Sequence, residues 1–193
     1  MRAMNKMFAF TLVAAFGLGG AVGAFALLTK SAGDGGSALS ALRPAWTEVQ
    51  WPFPMDQWGR GKAFRCKPAD CGTEVNIYLR AKLGSCNCTT GVADDEELDR
   101  MSDFDLVGGE VSPLGAGRPI TIAWMKGRSR AYTLAARNPP GKTAISVAFN
   151  DRCDMVVATI VLLHDRPAMI EPGVIEFLNG NTVLRWAEVT LGL

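Results

Sequence analysis

The sequence predicts an α+β domain: a mostly antiparallel sheet of roughly five to seven strands with two or three packed helices, preceded by an apolar N-terminal signal or anchor helix. Three observations predict it. Apolar residues alternate with polar ones over Glu74 to Lys82, and again over Thr143 to Phe149, the period of two of a half-buried strand. Asp154 to Leu163 is a near-continuous run rich in Val and Ile, as in a central strand covered on both faces. Asp94 opens an acidic turn with Glu97 three residues on, the signature of a capped helix start.

From the N-terminus, Arg2 and Lys6 precede an uncharged stretch from Phe8 to Leu28, which Lys30 closes. A basic end, an apolar middle and small residues around Ala24 and Ala26 are the layout of a signal peptide. The same stretch has the length to span a bilayer as a retained anchor. Either reading carries the rest of the chain across the membrane, with the basic end staying inside. The expected location is then periplasmic, or on the outer face of the inner membrane in a bacterium. The organisation that follows is a signal or anchor over 1–30, a Gly/Ser-rich linker over 31–45 and one globular domain over 46–193.

Trp46, Trp51, Phe53 and Trp58 are interleaved with Pro44, Pro52 and Pro54. The prolines argue against a helix through the middle, and the aromatics read as a lid on the core, with a short extended segment around Glu48 to Trp51. Val75, Ile77 and Leu79 set the buried side of the Glu74 strand, which leaves Asn76, Tyr78 and Arg80 on its polar side. Ile120–Lys126 and Ser129–Leu134 read as two strands around Gly127. Ile145, Val147 and Phe149 share one face of the next. Pro172 to Leu178 suits a short helix with Pro172 at its start. Thr182 to Leu191 is helix or strand, with Val183, Trp186 and Val189 as a weak helical stripe.

The five cysteines are Cys66, Cys71, Cys86, Cys88 and Cys153. In an exported chain all five are disulfide candidates. Cys66 with Cys71 closes a short loop easily, whereas Cys86 with Cys88 would close a small strained ring. A bridge from Cys86 or Cys88 to Cys153 would close a long loop, contributing roughly 4 kcal/mol on the chain-entropy model. The pairing stays open at this point. Thiolates also bind copper or zinc, so Cys86 and Cys88 with His164 form a candidate metal set. A C-x-C pair on an exported, tethered β-rich domain is similar in arrangement to one copper-chaperone family of cytochrome oxidase assembly. Asn87 and Thr89 stand where that family carries Phe. No C-x-x-C occurs. A thiolate at Cys88 would face the acidic run that follows, which opposes thiol–disulfide exchange.

Residues 94–105 hold seven acids against Arg100, net −6, while residues 118–142 hold six bases and no acid, net +6. Either the two segments neutralise each other, or Asp94, Asp95 and Glu96 and, separately, Arg128 and Arg130 face partners of opposite charge. Asp103, Asp105 and Glu110 do not fit an EF-hand loop and read as a solvated acidic face. The whole chain carries +1, which becomes −1 without Arg2 and Lys6, so nucleic acid is not an expected partner. Ala136 to Thr143 fits a loose phosphate-loop pattern. The alternating residues after it lack the helix that such a loop needs, so a hairpin turn is expected and nucleotide binding is not. His164 is the single histidine, so a hydrolase triad would have to use it; no G-x-S-x-G occurs, and His164 reads instead as a surface or strand-end residue. The expectation is a non-catalytic exported or membrane-anchored domain, stapled by disulfides, that binds or helps assemble a partner at the membrane. A thiol-based copper or zinc carrier is the alternative, and a thiol–disulfide redox enzyme the second alternative.

Overall fold

The computed structural model describes residues 44–108, 110–135, 142–163 and 167–193. The expected signal or anchor, nearly all of the linker, His164 and the Asn138–Gly141 turn lie outside the described residues. The strands are β1 (Trp46–Val49), β2 (Lys62–Cys66), β3 (Val75–Lys82), β4 (Val111–Pro113), β5 (Arg118–Ile122), β6 (Met125–Leu134), β7 (Lys142–Asp151) and β8 (Asp154–Leu163). The helices are α1 (Pro68–Cys71), α2 (Asp95–Met101), α3 (Phe104–Val107), α4 (Pro167–Leu178) and α5 (Asn181–Leu191). The fold is α+β around one antiparallel sheet, ordered β1-β2-β3-β8-β7-β6-β4, with β5 also on β6.

The described sheet has eight strands, one more than the upper expectation. The extra one is the three-residue β4, too short to leave a periodic signal. The chain also turns elsewhere than expected. It reverses at Ala123, which takes a left-handed φ of 51°, so that Ile122 pairs with Met125. Gly127 lies inside β6 instead, because a Cβ there would meet the Ala148 carbonyl oxygen at 2.1 Å. Glycine here permits close approach of two strands.

β8 is buried on both sides. Val156, Ala158, Ile160 and Leu162 join Ile77, Leu79, Val147 and Phe149 in a core covered by Val174 and Leu178 of α4 and by Val183, Ala187 and Leu191 of α5. This corrects two helix expectations. α4 begins five residues before Pro172, which lies inside it and leaves only an early-turn carbonyl without its donor. The buried stripe of α5 is Val183, Ala187 and Leu191, the i, i+4, i+8 spacing, whereas Val189 is exposed.

The opposite face is built differently. Met155 and Val157 pack with Cys86, Leu98 and Met101, and Val161 packs with Phe104, Tyr132 and Ala144. A polar row separates the two clusters: Arg130 pairs with Ser146, Ser146 with Thr159, and Thr159 with Tyr78. Helix α2 lies over this face. Asp94 accepts from the Glu97 amide at 2.8 Å, the expected cap, and Leu98 and Met101 point inward.

Candidate functional site

Strand β3 ends Tyr78-Leu79-Arg80-Ala81-Lys82. Alternation puts Leu79 into the helix-covered core and sends Tyr78, Arg80 and Lys82 to the other face. The sequence reading leaves that side polar and open. In the structure it is covered: Arg80 is 1% exposed and Lys82 6%. Two segments cover it, the Trp51–Trp58 loop and the junction of α2 with α3. Gly61 seats the loop, since a Cβ there would meet both the Leu79 carbonyl and the Trp51 ring. Trp51 stands edge-on to Phe53 and Tyr78 and stacks under the Arg80 guanidinium at 5.6 Å.

Asp103, between α2 and α3, links the two cations. Its Oδ1 lies 2.8 Å from Lys82 Nζ and 3.6 Å from Arg80 Nη1. Lys82 also donates to the Met101 carbonyl at 2.7 Å, and Arg80 Nη1 donates to Asp56 Oδ2 at 2.7 Å. Burial pushes the Asp103 carboxyl above the usual carboxylate range, against the pull of Lys82 and Arg80. Asp103 is 4% exposed, so it is not part of a solvated acidic face. It sits at the floor of an open cleft of about 960 Å³, with Arg80 and Lys82 beside it and Asp56, Asp99 and Asp105 also lining it. Arg80 Nε and Nη2 are buried and have no hydrogen-bond partner among the described residues.

The candidates from sequence fall elsewhere. Cys66 bonds Cys71, and Cys88 bonds Cys153 across the long loop. Cys86 is the free thiol. Its amide donates to the Cys153 carbonyl at 3.2 Å, and burial pushes its thiol pKa up. The pair Cys86 and Cys88 therefore presents one thiol, not two, and no metal-binding group of three or more ligands occurs among the described residues. The oppositely charged segments meet. Asp95 receives Arg128 Nε and the Gly117 amide, which hold its carboxyl below the usual range. Arg130 donates to Asp99 at 2.8 Å, and Tyr132 donates to the same carboxylate. Burial and that carboxylate push the Tyr132 hydroxyl pKa up. Asp94 is the helix cap and Glu96 is exposed. Lys142 and the residues after it form strand β7, so no helix follows the phosphate-loop pattern.

Sequence reasoning missed Arg80, Lys82 and Asp103. One signal was present: helix capping explains Asp94 to Glu97 but leaves Asp103 without a role. No protein-family model and no curated protein matches the chain. Among solved structures, it is similar to PA94 of Pseudomonas aeruginosa, a protein of unknown function, at 13% identity and a TM-score of 0.42, over 69% of this chain and 94% of that one. It is also similar to CalU16 of Micromonospora echinospora at 10% identity and a TM-score of 0.27, over 76% of this chain and 91% of that one. Likenesses at these scores carry no functional argument.

Proposed function

We propose that this is an exported, non-catalytic binding domain, held by two disulfides, whose binding site is the cleft over the end of β3. One observation carries the reading. Two cations and a carboxylate are buried on a sheet face where apolar residues would pack, and part of the guanidinium has no partner among the described residues. Buried ion groups are weak stabilisers compared with apolar replacements of similar volume, and orphaned buried donors cost free energy. A ligand in the cleft, held by the charges of the triad beside it, gives that expense a purpose.

Two bridges suit an oxidising compartment, and the basic-then-apolar N-terminus suits delivery there. The free thiol, Cys86, is buried with a raised pKa, and the hub is an ion-paired triad. A soft-metal carrier would need Cys88 released from Cys153.

The test is amide hydrogen exchange on the exported protein, with and without the small-molecule filtrate of its compartment. Added protection over residues 51–58 and 101–105 is the expected result. Turnover of a filtrate component, or protection confined to other surfaces, overturns the reading. Intact mass, thiol count and metal content on the same sample should give four oxidised cysteines, one thiol and no metal. Two or more thiols with stoichiometric metal would favour the carrier instead.

A further inference from the structure

The strand register puts an ion pair on the apolar face of the sheet. Phe64 pairs with Ile77 and with Glu48, and Lys62 pairs with Leu79. Partners in an antiparallel ladder share a face, so Glu48 and Lys62 lie on the side that α4 and α5 cover. They meet there as a partly exposed ion pair. Helix α5 packs on β3 and β8, and toward β2 and β1 the sheet face runs out from under it.

A cavity of about 260 Å³ opens at that margin. Phe64 and Leu79 form its sheet side, and Val183, Trp186 and Val189 its helix side. Val189 is 83% exposed, an apolar side chain left at the mouth with nothing of its own chain over it. The volume is just below the roughly 300–1,000 Å³ of small-molecule sites, which suits a small and mostly apolar occupant.

Charge sets the other end of that occupant. Glu48, Lys62 and Arg185 also line the cavity. An adjoining cavity of about 330 Å³ shares Glu48, Lys62 and Trp186 with it and adds Arg60. Three bases therefore face one acid, and that acid is taken by Lys62. Arg60 and Arg185 are exposed and have no ion-pair partner among the described residues. A guanidinium open to solvent can grip both oxygens of a carboxylate. The cleft over β3 has the opposite balance, four acids against three bases, so the two sites call for different ligands.

We propose that the cavity between α5 and β2 binds a free fatty carboxylate of medium length, its tail against Phe64, Leu79, Val183 and Val189 and its head at Arg185. The site is separate from the cleft and stands whatever the cleft binds. Calorimetric titration of the exported protein, below micelle-forming concentrations, would use the straight-chain carboxylates from butanoate to decanoate, with alkanols and alkylammonium ions of matching length. Each added methylene should tighten binding about fourfold until the tail fills the cavity. The alkanol should bind about tenfold more weakly than its carboxylate, and the alkylammonium ion more weakly still. Amide hydrogen exchange with the tightest carboxylate should gain protection over residues 182–189. Arg185→Glu reverses an exposed charge, so it should weaken the carboxylate about tenfold or more and leave the alkanol unchanged. Val189→Asp, at an exposed position, should weaken both. Binding by no member of the series, binding that ignores tail length, an ammonium ion as tight as its carboxylate, or binding that Arg185→Glu leaves intact overturns the proposal. So does binding to anionic vesicles without binding of the monomeric carboxylates, which would make this face a membrane contact.

Discussion

The two faces of the sheet are made by the same strands and held by different physics. On the α4–α5 face, Ile77, Leu79, Ile160, Leu162 and Phe149 form one continuous apolar core. On the other face two small clusters flank a polar row and an ionic hub. The first face is what stability alone would select, because apolar burial is non-directional and tolerant of exchange. The second depends on particular atoms: Asp103 has to meet Lys82, and Ser102 Oγ lies 2.6 Å from Ser146 Oγ. One face holds the fold and the other departs from an apolar optimum, and such departures are where a candidate site is expected.

The largest expected effect comes from breaking the hub. Asp103→Asn leaves Lys82 and Arg80 buried with less opposing charge and should cost about 3–5 kcal/mol in urea unfolding. Leu178→Ala on the apolar face should cost about 2–5 kcal/mol through its cavity. The sharper contrast is the combined variant Arg80→Met, Lys82→Met, Asp103→Leu. If the polar hub exists for binding, this variant should match or exceed the parent by about 1–4 kcal/mol and bind nothing in the cleft. A combined loss as large as that of Asp103→Asn alone would make the hub structural and erase the contrast.

The disulfides come next. Cys88 and Cys153 are 65 residues apart and Cys66 and Cys71 only 5. On the chain-entropy model, replacing each pair by Ser should cost about 4 and about 2 kcal/mol respectively, read from the midpoints of denaturant curves. Thr159→Val removes an orphaned buried hydroxyl and keeps its shape. It should be neutral or stabilise by up to about 1 kcal/mol, and a clear loss would mean the hydroxyl is satisfied in solution.

The smallest effect is at Asp95. Its folded-state pKa is lowered, first by Arg128 and then by the Gly117 amide. A lowered pKa gives stability that is complete above the unfolded value and drains as pH falls through the folded one. The stability difference between the parent and Asp95→Asn should therefore be flat near neutral pH and close below about pH 4.

Much of the architecture could be read from the chain. The alternation of Val75, Ile77 and Leu79, the β8 run and the Asp94 cap all depend on near neighbours, and period carries that information. The site could not be read in the same way. Alternation says that Arg80 lies opposite Leu79, but not whether solvent or distant chain covers it. Trp51 and Asp103 do the covering, from positions well before and after β3. The turn at Ala123 was missed for a related reason: Gly127 is glycine because of β7, a strand some twenty residues further along. The meeting of the acidic and basic segments was legible as one of two outcomes, since a chain with +6 and −6 segments gains by bringing them together.

The outermost strands β1 and β4 are four and three residues long, against ten in each of β6, β7 and β8. A sheet edge templates the addition of further strands, and the Val/Ile-rich β8 segment is the kind that feeds such growth. Here β8 sits innermost and the open ladder is cut to a few residues on either side. The chain therefore guards against fibrous self-association by position, keeping its most adhesive strand furthest from any free edge, and a concentrated solution of the folded protein should stay monodisperse where its unfolded form would not.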